Sequence, residues 1–96
     1  MARVVVTADA RRDLYELITS RNLPADTADR LRDAIQPLAN FPDIGPELVR
    51  PLDGRRFLLG PWRWMIVVYR HYPGRDLVAV VAIIDGRASS SPLANR

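Results

Sequence analysis

Residues 55–70 read RRFLLGPWRWMIVVYR, and this stretch decides the fold. Two largely apolar runs, from Arg55 to Leu59 and from Trp62 to Tyr69, have the composition of strands. Gly60-Pro61 between them is typical of a turn. A third apolar run, from Leu77 to Ile84, follows after a second turn. The C-terminal half therefore predicts three strands joined in sequence as two antiparallel hairpins.

The N-terminal half predicts one strand followed by two helices. Arg3 to Thr7 is short and β-branched, which indicates a strand, and Thr7 can cap the helix that follows. Pro24 suits the first turn of a second helix. Pro37 cannot donate a backbone hydrogen bond, so it should end or kink that helix near Gln36. The apolar stripes of the two helices are Ala10, Leu14, Leu17 and Ile18, and Ala28, Leu31, Ile35 and Leu38.

The order of these elements predicts an α+β domain with the topology β-α-α-β-β-β. The two-helix hairpin should pack on one face of an antiparallel sheet. Phe41 and Ile44, in the turn-rich segment after the second helix, should close the rim of the core. We expect residues 1–87 to form this single domain and residues 88–96 to form a polar C-terminal tail.

The central strands predict a second covered face. Trp64 to Val68 and Val78 to Ile84 are apolar at successive positions, which is typical of strands covered on both sides. The helices can cover one face, whereas the polar tail is too short to cover much of the other. Because an uncovered apolar face is a binding surface, the sequence predicts a partner protein there.

Composition excludes several kinds of chemistry. The 96 residues contain no cysteine, one histidine and fourteen basic residues, all of them arginine. Disulfides, thiolate or histidine-cluster metal sites, cysteine nucleophiles and lysine Schiff bases are therefore excluded, and we expect no metal or cofactor. No apolar run has membrane-spanning length, and Asp9 precedes any signal-like stretch. We expect a cytoplasmic protein without membrane contact.

The charge is uneven along the chain. Residues 1–48 carry six arginines against eight acidic residues, whereas residues 49–96 carry eight arginines against three. The net charge of +3 therefore comes from the second half. This gradient suits an acidic partner or nucleic acid, although a solvated basic surface is the simpler explanation of the charge alone.

Three segments together resemble the RelE/ParE toxin superfamily of bacterial type II toxin–antitoxin systems. They are the turn from Asn40 to Gly45, the strand, Gly turn and strand of residues 55–70 that end in Tyr-Arg, and the last strand with its Gly-Arg, from Val80 to Arg87. The resemblance covers nearly the whole chain. It implies a toxin that a cognate antitoxin holds inactive in a hetero-oligomer.

Two activities compete within that superfamily. The RelE branch cuts mRNA on the ribosome, whereas the ParE branch binds DNA gyrase and blocks it without chemistry of its own. Where RelE-like chains carry catalytic side chains, this sequence has Ile66 and Leu93; Arg56 matches roughly and Arg87 clearly. The sequence therefore resembles the ParE branch more closely. Its Asp85-Gly86-Arg87 departs from the His-Gly-Arg that is frequent there, which leaves a divergent or inactive member open.

Several residues are candidates for the functional site. Those that could contact the target or the antitoxin are Arg56, Trp62, Arg63, Trp64, Arg70 and Arg87. An RNA-cleaving alternative would use Arg56, Arg63 and Arg87 for charge, with Tyr69 or His71 for proton transfer. A third hypothesis is a non-toxic module of the same fold that only binds a partner.

Two of these candidates also have a structural interpretation as single residues. Tyr69 shares a strand face with Met65 and Val67, which favours a buried ring with a bonded hydroxyl. His71 has no second histidine and no suitable Glu near it in sequence, which favours a plain surface histidine.

The arginines and tryptophans likewise have alternatives. Arg63 lies between Trp62 and Trp64 and could complete a stacking platform, although the two rings also suit ordinary packing. Arg87 could clamp an anionic group or pair with Asp85, and Arg70 is expected to be solvated.

Overall fold

A computed structural model describes residues 1–49 and 54–87 of the chain. Its strands and helices are β1 (Arg3–Val6), α1 (Ala8–Ser20), α2 (Thr27–Ile35), β2 (Arg56–Leu59), β3 (Met65–Tyr72) and β4 (Leu77–Asp85). Short 3₁₀ turns occupy Gln36–Ala39 and Pro73–Arg75. The predicted order β-α-α-β-β-β is confirmed. The predicted tail, residues 88–96, lies outside the described residues.

The four strands form one sheet in the order β1-β4-β3-β2. The two predicted hairpins are antiparallel, with Phe57 opposite Val68 and Val67 opposite Ile83. The edge strand β1 instead pairs parallel to β4. The two helices carry the chain from β1 to β2 at the opposite edge, and two antiparallel hairpins then bring β4 back beside β1. The predicted α+β fold is confirmed, with a sheet that is mostly antiparallel.

Local sequence signals fix the ends of the helices. The backbone N–H of Ala10 donates to Oγ1 of Thr7 at 3.2 Å, which caps α1 as predicted. Helix α2 begins at Thr27, three residues later than Pro24, because residues 24–27 form a turn that the Thr27 hydroxyl closes on the Pro24 carbonyl. It ends at Ile35, two residues before Pro37, as expected.

The main core lies between the helices and one face of the sheet. Met65, Val67 and Tyr69 of β3 point into it and are fully buried. Helices and β4 supply the other buried members, which include Ala10, Leu14, Leu31, Ile35, Leu38, Val78, Val80 and Ile83. Both predicted helical stripes therefore face the sheet, with Leu17, Ile18 and Ala28 at the edge of the core.

The opposite face of the sheet carries a smaller apolar cluster. Leu48, from the segment before β2, packs with Ile66 and Val68. In the edge strand β2, Leu59 is 48% exposed. Partial cover by Leu48 agrees with the expectation of two covered faces, while a partner on the remainder stays a prediction.

Two sequence expectations are wrong in detail. Phe41 and Ile44 are 60% and 61% exposed, so they do not close the core rim. At Gly45 the backbone itself lies against β2, so closely that an added Cβ would be 2.1 Å from the carbonyl oxygen of Phe57. Strand β3 begins at Met65 rather than Trp62, because Met65 N–H donates to the Trp62 carbonyl and closes a turn.

Candidate functional site

The sequence-predicted site residues fall into two groups at opposite ends of β3. Trp62, Arg63 and Trp64 immediately precede Met65, which pairs with Asp85 near Arg87. At the other end, Arg56 pairs with Tyr69, and His71 follows two residues later. From Met65 to His71 a strand spans roughly 20 Å. The structure therefore does not bring all candidates together.

Contacts join five side chains at the first of these ends into a surface that we call the tryptophan-arginine face: Arg21, Arg30, Trp62, Trp64 and Arg87. The rings of Trp62 and Trp64 stack with centroids 6.3 Å apart at 23°. Both rings are partly buried and pack against the main core.

The sequence suggested Arg63 as the arginine beside the tryptophan rings, but Arg30 and Arg87 lie over them. Cζ of Arg87 lies 4.4 Å from the Trp64 centroid, and Cζ of Arg30 lies 5.8 Å from the Trp62 centroid. Arg63 lies between the tryptophans in sequence and is exposed. Sequence reasoning missed Arg30 because it belongs to α2, and no local pattern links it to Trp62.

Asp85 holds two arginines of this face. Its side chain is 4% exposed and accepts from Nε and Nη2 of Arg21 at 3.0 and 2.7 Å. It also accepts from Nε and Nη2 of Arg87 at 3.1 and 3.2 Å. The pair of Asp85 with Arg87, one of the two alternatives that the sequence left for Arg87, is present, whereas the contact with Arg21 was not foreseen.

These hydrogen bonds shift the ionisation of both partners. The Arg87 side-chain hydrogen bond is the largest cause that lowers the pKa of Asp85 from 3.8 to about 2; burial opposes it, and Arg21 adds to it. The same hydrogen bond raises the pKa of Arg87. Asp85 is therefore a charged group at neutral pH, with its negative charge matched by two guanidiniums.

The second group lines a polar cavity of about 280 Å³, formed by Asp43, Glu47, Gly54, Arg56, His71 and Pro73. Nδ1 of His71 lies 2.9 Å from Oδ1 of Asp43, and the histidine side chain is only 17% exposed. The expectation of a plain surface histidine is therefore wrong. Its carboxylate partner lies 28 residues earlier, in a loop that folds back over β3.

Arg56 and Tyr69 fix that loop rather than face solvent. Nη1 of Arg56 donates to the Gly45 carbonyl at 2.7 Å, and Nη2 donates to Oε1 of Glu47 at 3.2 Å. The Tyr69 hydroxyl accepts from the Gly45 N–H at 2.9 Å, and burial of the ring raises the pKa of this hydroxyl. The predicted buried Tyr69 with a bonded hydroxyl is confirmed.

Arg70 belongs to the same end of the sheet. Its Cζ lies 5.5 Å from the centroid of Tyr72, and the residue is half-buried rather than fully solvated. Within residues 1–49 and 54–87, no three His, Asp or Glu side chains are grouped so that they could hold a metal ion. In the same ranges, no helix is both long and apolar enough to cross a membrane.

Fold and sequence comparisons place this geometry in a known class. The architecture is that of the RelE/ParE toxin superfamily, with two helices on a four-stranded sheet. Residues 4–89 match the family described as the ParE toxin of type II toxin-antitoxin system, parDE. The chain belongs to this ParE toxin family.

A solved structure shares the fold. It is the toxin-antitoxin complex RelBE2 from Mycobacterium tuberculosis, with a TM-score of 0.65 and 23% sequence identity. The match covers 88% of this chain and 90% of the other. No curated protein sequence matches the chain.

Proposed function

We propose that this chain is a ParE-like toxin that inhibits DNA gyrase by binding it. Membership of the ParE toxin family supports the proposal. The observation that carries it is the separation along β3 between the proton-transfer candidates and the end where Arg63 and Arg87 lie, roughly 13 Å from Met65 to Tyr69 and roughly 20 Å from Met65 to His71.

RNA cleavage through the 2′-hydroxyl needs a proton-transfer group and cations close together. A general base must lie within hydrogen-bonding reach of the 2′-hydroxyl, while cations stabilise the charge on the same phosphate. Here the Tyr69 hydroxyl is buried against Gly45, and the arginines of the tryptophan-arginine face are at the far end of the strand. Binding without chemistry requires no such convergence, so the arrangement favours an inhibitor that binds its target.

An mRNA endonuclease is the second candidate, and one observation favours it. The 2.9 Å contact between Oδ1 of Asp43 and Nδ1 of His71 orients the imidazole ring at the polar cavity. Arg56 lines the same cavity and could supply charge, although it already donates to Gly45 and Glu47. In this alternative the toxin would act on ribosome-bound mRNA, with His71 as the proton-transfer group.

We also propose that a cognate antitoxin neutralises the chain in a hetero-oligomer. RelBE2, which shares the fold, is a complex of a toxin with its antitoxin. Among the described residues, the sheet face around Leu59 and Ile84 is only partly covered, and it gives such a partner an apolar surface. Both DNA gyrase and the ribosome lie in the bacterial cytoplasm, so we place the toxin there.

The deciding experiment combines purified, antitoxin-free protein with DNA gyrase, ATP and relaxed plasmid. We expect supercoiling to stop, or linear DNA to accumulate, and excess antitoxin to reverse either effect. A His71→Ala variant is the internal control, since it should inhibit gyrase as the parent does. Growth arrest in cells without any effect on gyrase would contradict the proposal and favour the endonuclease. Absence of growth arrest would favour the non-toxic partner-binding module.

A further inference from the structure

The tryptophan-arginine face has the properties of a phosphate-binding surface, and we propose that it binds the backbone of double-stranded DNA. The choice of duplex DNA rests on the proposed function, because duplex DNA is the nucleic acid that gyrase holds. The preference for phosphate comes from the face itself.

Hydrogen bonds within the protein hold two guanidiniums of the tryptophan-arginine face in place, those of Arg21 and Arg87. The nearly buried Asp85 carboxylate accepts from Nε and Nη2 of both Arg21 and Arg87. The two side chains are nevertheless 46% and 58% exposed, and each guanidinium has more N–H donors than these contacts use. Arginines held in this way lose little conformational freedom when they bind an anion.

The aromatic rings are not available to a partner in the same way. Trp62 and Trp64 pack against the core, stack on each other and have Arg30 and Arg87 over them. A nucleobase or an apolar side chain would have to displace these arginines to reach a ring. What the face offers a partner is therefore mainly N–H donors and positive charge.

This combination favours phosphate over an acidic peptide. Peptide and protein partners gain most of their affinity from apolar anchors in well-packed pockets, and the occupied rings offer none. Backbone phosphates need only donors and charge, and they carry no base sequence for the surface to read. Three arginines, Arg21, Arg30 and Arg87, against the carboxylates of Asp85 and Asp26 leave a net charge of +1 among these ion pairs. We therefore expect DNA binding that is independent of sequence and sensitive to salt.

Fluorescence anisotropy with a short labelled DNA duplex, over a series of salt concentrations, tests the inference. Arg30→Ala should weaken binding and reduce the magnitude of the slope of log K against log salt by about 1. Arg75→Ala is the charge-matched control, because Arg75 is exposed in the turn at the opposite end of the sheet. It should leave the slope unchanged. Circular dichroism of each variant confirms that it is folded.

Three results would overturn the inference. Arg75→Ala could lower the slope as much as Arg30→Ala, which would mean diffuse binding by a basic protein. The duplex could fail to bind, or a poly-glutamate peptide could bind this face in its place. The gyrase assay separates this inference from the proposed function. A parent protein that inhibits gyrase but does not bind DNA would refute only the DNA contact, whereas localised DNA binding by a parent that does not inhibit gyrase would refute the proposed function.

Discussion

Arg87 contacts Asp85 through both its backbone and its side chain. Its backbone N–H donates to Oδ1 at 2.9 Å, and Nε and Nη2 donate to Oδ1 and Oδ2 at 3.1 and 3.2 Å. The carboxylate at the end of β4 thereby fixes the direction in which the chain leaves the sheet and the place of Arg87 over Trp64. One buried charge organises both the strand end and the exposed arginine.

Asp85 should make stability depend on acid pH. Its pKa is about 2 in the folded protein, below its ordinary value of 3.8, so it stabilises the fold above about pH 4. That contribution, on the order of 2 kcal/mol, should disappear as pH falls from about 4 to about 2. Chemical denaturation of the parent and of Asp85→Asn across this range should show their stabilities converging at low pH. A constant difference would contradict the assignment.

Removing the Tyr69 hydroxyl should destabilise the loop before β2. Tyr69→Phe keeps the ring and leaves the Gly45 N–H without its buried acceptor, which costs about 1–3 kcal/mol. Urea denaturation measures the loss. Tyr15→Phe is the matched control, since Tyr15 is 58% exposed on α1 and should change stability little. Equal effects of the two variants would show that the buried hydrogen bond makes no net contribution to the free energy of unfolding.

Gly45 should tolerate no side chain, in contrast to Gly74. An added Cβ at Gly45 would lie 2.1 Å from the Phe57 carbonyl oxygen, whereas one at Gly74 meets nothing within 4 Å. Gly45→Ala should therefore cost about 1–3 kcal/mol, and Gly74→Ala should be close to neutral. Thermal unfolding of both variants checks this. A neutral Gly45→Ala would mean that the segment can move away from β2 at little cost.

Replacing His71 should separate the two candidate activities. The ring pairs with Asp43 at the polar cavity, so His71→Ala and His71→Gln remove the proposed proton-transfer group of an endonuclease. We expect both variants to arrest growth as strongly as the parent, because binding to gyrase does not use this residue. Growth curves after induced expression, with toxin levels matched by immunoblot, provide the measurement. Rescue of growth by both substitutions would support RNA cleavage.

Local patterns in the sequence were sufficient to predict most of the fold. The apolar runs that became β3 and β4 indicated strands, and Pro37 marked the end of α2, because strand composition and backbone hydrogen bonding are properties of neighbouring residues. The parallel pairing of β1 with β4 was not predicted, since it depends on how the helical hairpin crosses the sheet.

The candidate site was less predictable because its contacts join distant parts of the chain. Arg21 and Asp85 are 64 residues apart, and Asp43 and His71 are 28 apart. A single sequence shows that each residue exists but not which partner the fold will bring to it. The local pair of Asp85 and Arg87 was foreseen for the opposite reason, since only one residue separates them.

The stacked rings of Trp62 and Trp64 are an intrinsic spectroscopic probe of this protein. These are the only two tryptophans in the chain, so its intrinsic emission arises almost entirely from one end of the sheet. Rings this close should also couple electronically and give a near-ultraviolet circular dichroism signal that depends on their mutual angle. Any ligand that moves Arg30 or Arg87 from the rings should change both signals, without a dye or a label.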